Sequence, residues 1–324
     1  MRHKTILAPV VGIVIAVAFS GRAQTNVQAP NSKNATKTLA ARLGYAPDAK
    51  LLIVHADDLG AAHSIDAASI KAFESGLVNS GSIMIPCPWL SEIATYARSH
   101  PDADLGLHLT LTSEWTPYRW GPVLSKDRVA SLLDGSGYFY LTETEAASHM
   151  DPKEVEAELR SQIERARSVG IHPTHLDSHM GTLYQNKALF EILLRLAREN
   201  KLPTRMSREF LEQMSFLPSL LTPDDIIIDR IITMEPEVSP DNWAKFYEDA
   251  IKTIQPGITE MVVHIAYDDG EMRGMTFDHP NWGAAWRQRD FDFLTSDRFR
   301  SLLKENNIKL VTWREVGKLI EKKQ

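Results

Sequence analysis

Residues 51–66 read LLIVHADDLGAAHSID: an apolar run of strand length ends in two adjacent aspartates, Asp57 and Asp58, followed two residues later by Gly60. This pattern predicts a buried strand that stops at a turn. Two neighbouring carboxylates at such a point repel each other and lose their hydration, so they need a positive partner such as a metal ion. The alternative is a solvated turn in which Asp57 caps the next helix.

Similar apolar runs recur along the chain and alternate with amphipathic helical stretches, such as the one from Pro152 to Gly170. This alternation is typical of a parallel sheet with crossover helices. We therefore predict an α/β fold that forms a single (β/α) TIM-like barrel, with an open doubly wound sheet as the alternative. The predicted strands are Leu51–His55, Ser82–Ile85, Leu105–Leu111, Thr174–Leu176, Ile226–Ile228, Met261–Ile265 and Lys309–Thr312.

A long insertion is predicted after the third strand, over residues 113–150. It is rich in aromatic residues, among them Trp115 and Trp120, and we expect it to form one wall of a substrate cleft. The chain contains neither a GxGxxG nor a GxxxxGK[ST] motif. A nucleotide site therefore has no support from the sequence.

The N-terminus has the pattern of a secretory signal, with a positive start, an apolar run and small residues at a cleavage point. The run is short for a membrane span, although an uncleaved anchor is the alternative. We expect export to the periplasm or the extracellular space, with no integral membrane domain once the signal is removed. The predicted parts are a signal peptide (1–23), a flexible lead-in (24–45) and a catalytic barrel (46–324).

Composition restricts the possible partners and the source of stability. The chain has 324 residues, of which 43% are hydrophobic and 24% are charged, as in ordinary globular proteins. A net charge of −6 argues against nucleic acid as the main partner. The single cysteine, Cys87, excludes an intramolecular disulfide, so stability has to come from the core.

Acidic and imidazole side chains follow four of the predicted strands. Because the active sites of parallel α/β folds lie at the carboxyl ends of the strands, we expect these groups to meet at one rim. They are Asp57 and Asp58 after the first strand, His108 on the third, His175, Asp177 and His179 at the fourth, and His264 in the run Met261–Ile265.

An aspartate and two histidines form a suitable ligand set for a divalent metal ion and leave positions open for water. A second aspartate can then stay unligated and act as a base. The pair His175 and Asp177 with His264 also matches the 2-His-1-carboxylate triad of non-haem iron oxygenases. Those enzymes usually have all-β folds, which disfavours that alternative here.

Several motifs carry a resemblance to the YdjC-like family of carbohydrate deacetylases, which includes the chito-oligosaccharide deacetylases. The motifs are HADDLG, GLVNSGSIMI, DLGLHLTLT, LLDGSGYF, EVEAELRSQIERA, GIHPTHLDSH and FDFLTSDRFRSLLKENNIKLVTW. The resemblance implies a deformed (β/α) barrel and one divalent ion, with zinc or magnesium as the first choices. It also implies removal of an acetyl group from an N-acetylated carbohydrate.

By position, the resemblance implies that Asp58, His108 and His175 hold the ion, with His179 as the alternative to His175. Asp57 matches the likely base of the family. We expect His264 to protonate the leaving amine. The residues expected to bind substrate or to support the ligands are Asp177, His179, Trp115 and Trp120.

Two departures from the family pattern leave other functions open. Met180 to Thr182 stand where members usually carry further histidines, and Ile265 and Ala266 stand where a proline and a glycine often occur. The alternatives are a hydrolase of the same mechanism that acts on a non-sugar amide or ester, and a carbohydrate-binding relative without activity.

Overall fold

The structure, a computed structural model, describes residues 38–321. The predicted signal peptide and the lead-in up to residue 37 lie outside the described residues. The end of the predicted lead-in is helical, because α1 (Leu39–Arg42) forms there and buries Ala40 against a small apolar cluster. Within residues 38–321, no helix is both long enough and apolar enough to cross a membrane.

Seven strands form one sheet in the described part of the chain, in the order β4-β3-β2-β1-β6-β5, with β7 paired to the start of β1. Every pair of strands is parallel. The strands are β1 (Lys50–Leu59), β2 (Ser80–Ile83), β3 (Leu105–Leu109), β4 (Leu176–Ser178), β5 (Arg230–Thr233), β6 (Gly257–Val263) and β7 (Ile308–Leu310). The sheet is curled into a half-barrel, which agrees with a deformed TIM-like barrel.

Two isolated bridges extend the curl beyond β4, since Leu176 pairs with Thr204 and Ser207 pairs with Ile228. The strand predicted at Ile226–Ile228 is thus displaced, and the regular strand begins at Arg230. The prediction was wrong because Ile226 and Ile228 are buried in the same small apolar cluster as Ala40, which gives the segment the composition of a strand. Its backbone forms only the single bridge of Ile228 with Ser207.

Helices connect the strands and cover the sheet. In α5 (Pro152–Ser168), Asp151 accepts a hydrogen bond from the backbone N–H of Lys153, Pro152 occupies the first turn, and the apolar face is buried. The connection between β3 and β4 carries α4 and α5. The remaining bounds are α2 (His63–Glu74), α3 (Leu90–Ser99), α4 (Glu143–His149), α6 (Lys187–Glu199), α7 (Arg208–Gln213), α8 (Trp243–Lys252), α9 (Gly270–Met275), α10 (Ala284–Leu294), α11 (Asp297–Glu305) and α12 (Trp313–Glu321).

Gly106 allows β3 and β4 to bring polar side chains together inside the curl. His108 lies opposite Asp177 in the register of the two strands. One layer deeper, the ring of His175 fills the space over Gly106, where an added Cβ would lie 2.3 Å from Nε2 of His175. His175 is fully buried, so its ring has little room to move away.

We predict that Gly106→Ala lowers the free energy of unfolding by about 1–3 kcal/mol, because the added methyl group overpacks a filled interior. The matched control is Gly135→Ala, where a Cβ would meet nothing within 4 Å. Urea denaturation of both variants measures the difference. Equal unfolding midpoints for Gly106→Ala and the wild type would contradict the close approach of His175.

Candidate metal centre and active site

The end of β1 is irregular, and this irregularity explains how adjacent carboxylates reach one cavity. Side chains along a regular strand alternate between the two faces of the sheet. Here the pairing of β1 with β2 shifts register between Ala56 and Leu59, and Asp58 has a φ of 71°. A bulge of this kind changes the direction in which side chains point. A left-handed backbone conformation is strained in a residue other than glycine, and such strain is typical of functional sites. Both Asp57 and Asp58 consequently point into the same polar interior.

Three potential metal ligands converge at this point: Asp58, His108 and His179. Nε2 of His108 lies 3.4 Å from Oδ1 of Asp58, and Nδ1 of His179 lies 3.3 Å from the same oxygen. All three side chains are buried. Oδ1 of Asp58 has no hydrogen-bond partner among the described residues.

The far side of each of these three groups is held by a second charged side chain. Nδ1 of His108 lies 2.6 Å from Oδ1 of Asp177, and Nε2 of His179 lies 2.9 Å from Oε2 of Glu114. The Arg287 guanidinium donates to Oδ2 of Asp58 over 2.7 Å. The outer ring nitrogens, Nδ1 of His108 and Nε2 of His179, carry hydrogen, because an ionised carboxylate can only accept a hydrogen bond.

This arrangement fits a metal ion. The inner nitrogens of His108 and His179 both face Oδ1 of Asp58, so they carry either hydrogens that point to that oxygen or, in the neutral rings, lone pairs that can bind a cation. Burial lowers the pKa of both histidines, but the neighbouring carboxylates outweigh it, raising the pKa of His179 to about 9 and that of His108 well above its usual range. The site therefore favours positive charge, which either protons or a divalent cation can supply.

Asp58 is prepared to act as an anionic ligand. Burial raises the pKa of its carboxyl group, but Arg287 and the two histidines outweigh burial and hold the pKa well below its usual range. Since Arg287 occupies Oδ2, the other oxygen is left to meet a cation.

Asp57 belongs to an ion network centred on Arg205. The Arg205 guanidinium donates to Asp57 through Nη2 over 2.9 Å, lies 3.0 Å from Asp177 and donates to Glu260 over 3.1 Å. His55 lies 3.1 Å from Asp57 and 3.3 Å from Asp177. Burial raises the pKa of Asp57, but Arg205 and His108 outweigh it and keep the carboxyl group ionised.

His175 lies in a different cluster, with His55 and Asp177. Its Nδ1 is 2.9 Å from Oγ1 of Thr174, and its ring stacks on Trp313 at 5.6 Å between centroids. Burial and the neighbouring His55 hold the pKa of His175 well below its usual range. Of the two histidines that the sequence left open, the structure thus groups His179, and not His175, with Asp58 and His108.

His264 follows directly after β6 and is half-buried. Its backbone N–H donates to Oδ2 of Asp290 over 3.0 Å. Burial outweighs the attraction of Asp58 and lowers the pKa of the imidazole to about 4, so the ring is neutral at pH 7 in the absence of substrate and metal.

The two predicted tryptophans lie beside the candidate ligands with their rings buried. Trp115 is 1% exposed and Trp120 is 3% exposed. The Trp120 ring lies 6.0 Å from that of His179, and the Arg287 guanidinium lies 5.5 Å from the Trp115 ring. Because their faces are covered, they support the centre and do not offer a surface to a sugar.

Sequence reasoning missed four charged residues of the site. Glu114 and Arg287 lie in connections after strands, and Arg205 lies between the two isolated bridges, where no apolar run indicates a strand. Of these four residues, Glu260 alone could have been found in the sequence, because it is an acidic residue within the buried apolar run of β6. A charge at a buried position is rarely tolerated without a partner.

Known proteins share this sequence pattern. The family model described as YdjC-like protein matches residues 51–305. The chain belongs to the YdjC-like family. The resemblance inferred from the motifs is therefore confirmed.

The YdjC-like protein is 32% identical over 277 residues to a protein of Thermus thermophilus named carbohydrate deacetylase, covering 82% of this chain and 94% of the relative. It is also 32% identical over 167 residues to a chitooligosaccharide deacetylase of Yersinia pestis, covering 51% of this chain and 62% of the relative. A crystal structure from Enterococcus faecalis V583, described as that of a proposed cellobiose-phosphate cleavage protein, superposes with a TM-score of 0.70 at 27% identity. That match covers 83% of this chain and 99% of the other.

We predict that Arg205→Met lowers the free energy of unfolding by about 3–5 kcal/mol, because it leaves buried carboxylates without their cation. The control is Arg208→Met, which removes an exposed ion pair with Asp229 and should cost less than about 1 kcal/mol. Chemical denaturation compares the two variants. Similar losses for both would argue against the central position of Arg205.

Proposed function

We propose that this YdjC-like protein removes the acetyl group from an N-acetylated sugar or oligosaccharide with the help of one divalent metal ion. The observation that carries the proposal is the convergence of three buried ligand atoms on one point, at the carboxyl ends of β1, β3 and β4. The curated relatives named carbohydrate deacetylases support the substrate class.

The proposed ligands are Asp58, His108 and His179. In this set His179 takes the place that the family pattern suggested for His175. Two imidazoles and one carboxylate suit zinc and other transition ions, whereas magnesium prefers oxygen ligands. Zinc is therefore our first choice for the ion.

A bound ion would supply Lewis acidity, which polarises an amide carbonyl and acidifies water. The proposed task of Asp57 is to accept the proton of the attacking water. Arg205 positions Asp57 for this task but also lowers its basicity, because a low pKa opposes proton acceptance, so a bound ion would have to acidify the water strongly. Arg205 keeps the carboxylate ionised before the reaction, and it fixes the side chain beside the ligands with bonds to both carboxylate oxygens, at 2.9 and 3.3 Å.

His264 is the proposed donor to the leaving amine. Because its pKa is lowered to about 4, the imidazole begins the reaction without the required proton. The proton it donates has to arrive during turnover, and the reaction balances when the proton that Asp57 accepts from the consumed water passes on to His264 and from there to the amine. An amine leaves readily only when protonated, so this transfer completes the hydrolysis of the amide.

The sugar needs an accessible apolar surface, and Trp89 is a better candidate than the buried Trp115 and Trp120. Trp89 is 37% exposed, and its backbone N–H donates to the carbonyl of Gly60, two residues beyond Asp58. Its ring lies 5.1 Å from that of His63. We propose that this pair forms part of the entrance to the active site.

We also propose that the protein is exported, on the signal pattern of residues 1–23.

We predict that His179→Gln loses most of its bound metal, whereas His175→Gln retains it. The two substitutions are chemically identical and both replace a buried ring, so they differ in position only. Metal content after dialysis against zinc, measured by elemental analysis, is the readout. Retention by His179→Gln with loss in His175→Gln would restore His175 as the ligand.

We predict that the purified protein releases acetate from N-acetylated oligosaccharides, and that chelation abolishes the release until zinc is added back. Asp57→Asn should keep its metal and lose about 100- to 10,000-fold in kcat, because the proton acceptor is removed. N-acetylated peptides and aryl acetate esters serve as control substrates. Faster hydrolysis of those controls would favour the non-sugar alternative, and binding of sugar without acetate release would favour a binding protein.

A further inference from the structure

A short stretch of the connection after β3, residues 112–120, surrounds the outer side of the proposed metal centre. Oε2 of Glu114 lies 2.9 Å from Nε2 of His179. The Trp120 ring lies 6.0 Å from the His179 ring. The Trp115 ring lies 5.5 Å from Arg287, which in turn holds Asp58. The stretch thus contacts one proposed ligand, His179, directly and is linked to a second, Asp58, through Arg287.

We propose that Glu114 is a positioning residue that makes His179 bind the ion through Nδ1. A carboxylate can only accept a hydrogen bond, so Nε2 carries a hydrogen, and in the neutral ring that a metal ion requires the lone pair is on Nδ1. That nitrogen lies 3.3 Å from Oδ1 of Asp58. Carboxylates that hold the second nitrogen of a ligating histidine orient the ring and make it a stronger donor.

The local fold keeps Glu114 in place from both sides. The Trp120 indole N–H donates to the carbonyl of Thr112 over 2.8 Å, and the Trp120 backbone N–H donates to Oγ of Ser113 over 3.0 Å. These two bonds close the loop that carries Glu114. The carboxylate is therefore held at the ring of His179 by a rigid turn, and this gives the buried tryptophan a function other than contact with sugar.

Glu114 is also the more informative of the two carboxylates that hold ligand histidines. Asp177 holds His108, but it also lies 3.0 Å from Arg205 and 3.3 Å from His55, so its loss would disturb Asp57 as well. The Glu114 side chain is 12% exposed at the edge of the site. A change at Glu114 consequently acts on His179 without removing a charge from the Arg205 network.

The test measures the affinity of the metal-free full-length protein for Zn²⁺ by competition with a chelating dye. We expect Glu114→Ala to weaken binding by about 10- to 100-fold. Glu114→Gln should recover part of the loss, because an amide oxygen still accepts a hydrogen bond from Nε2. Glu145→Gln, an exposed residue on α4 of the same connection, should bind like the wild type. Glu114→Ser replaces the alanine variant if circular dichroism shows that the latter is poorly folded.

The absorption spectrum of the Co²⁺-loaded proteins provides a second readout, because it reports which atoms surround the ion. We expect a changed spectrum in Glu114→Ala and a nearly unchanged one in Glu114→Gln. Glu114→Met fills a similar volume without accepting a hydrogen bond, so a spectrum like that of Glu114→Ala separates loss of the hydrogen bond from loss of packing.

The inference rests on the proposed ligand set, so His179→Gln is measured in parallel. Wild-type affinity in Glu114→Ala with weakened binding in His179→Gln would overturn the role of Glu114 alone. Wild-type affinity in both variants, or no binding by the wild type, would overturn the ligand set and the role of Glu114 together.

Discussion

The site depends on one buried cation, the guanidinium of Arg205. It lies against carboxylates from three strands, Asp57 on β1, Asp177 on β4 and Glu260 on β6. Three unpaired carboxylates in this interior would repel one another and would take up protons to avoid being buried as anions. Arg205 lowers the pKa of Asp57 and Asp177 and keeps both ionised, so the interior of the curled sheet can be charged without separating its strands.

Charged side chains also position the proposed ligand atoms, each from the side that faces away from the centre. Asp177 holds His108, Glu114 holds His179 and Arg287 holds Asp58. Each of these charged side chains bonds one nitrogen or oxygen of a proposed ligand. The second nitrogen or oxygen of that ligand side chain faces the centre. An ion that bound at the proposed site would cost little conformational entropy, because the rings and the carboxylate are already oriented.

Much of this arrangement could be predicted, and the exceptions have a common cause. Most of the strands and the rim followed from apolar runs and polar strand ends, and the choice of Asp58 and His108 followed from the family resemblance. The choice between His175 and His179 did not, because both have the same strand parity as Asp177. β4 ends at Ser178, and Met180 and Gly181 both have positive φ. His179 lies above the layer of His108 and Asp177, and His175 lies one layer below it, against Gly106. Depth along the barrel, which periodicity does not encode, separates the two histidines and places His179, and not His175, beside Asp58 and His108.

By itself, the sequence determined the class of fold, the end of the sheet at which the chemistry lies and the family. Those properties follow from local periodicity and from short motifs in a fixed order. The tertiary structure alone decided which side chains meet. Arg205 and Asp57 are 148 residues apart, and Arg287 and Asp58 are 229 residues apart. Contacts at such separations depend on the curl of the sheet and on the bulge at the end of β1, because these features set distance and direction in three dimensions.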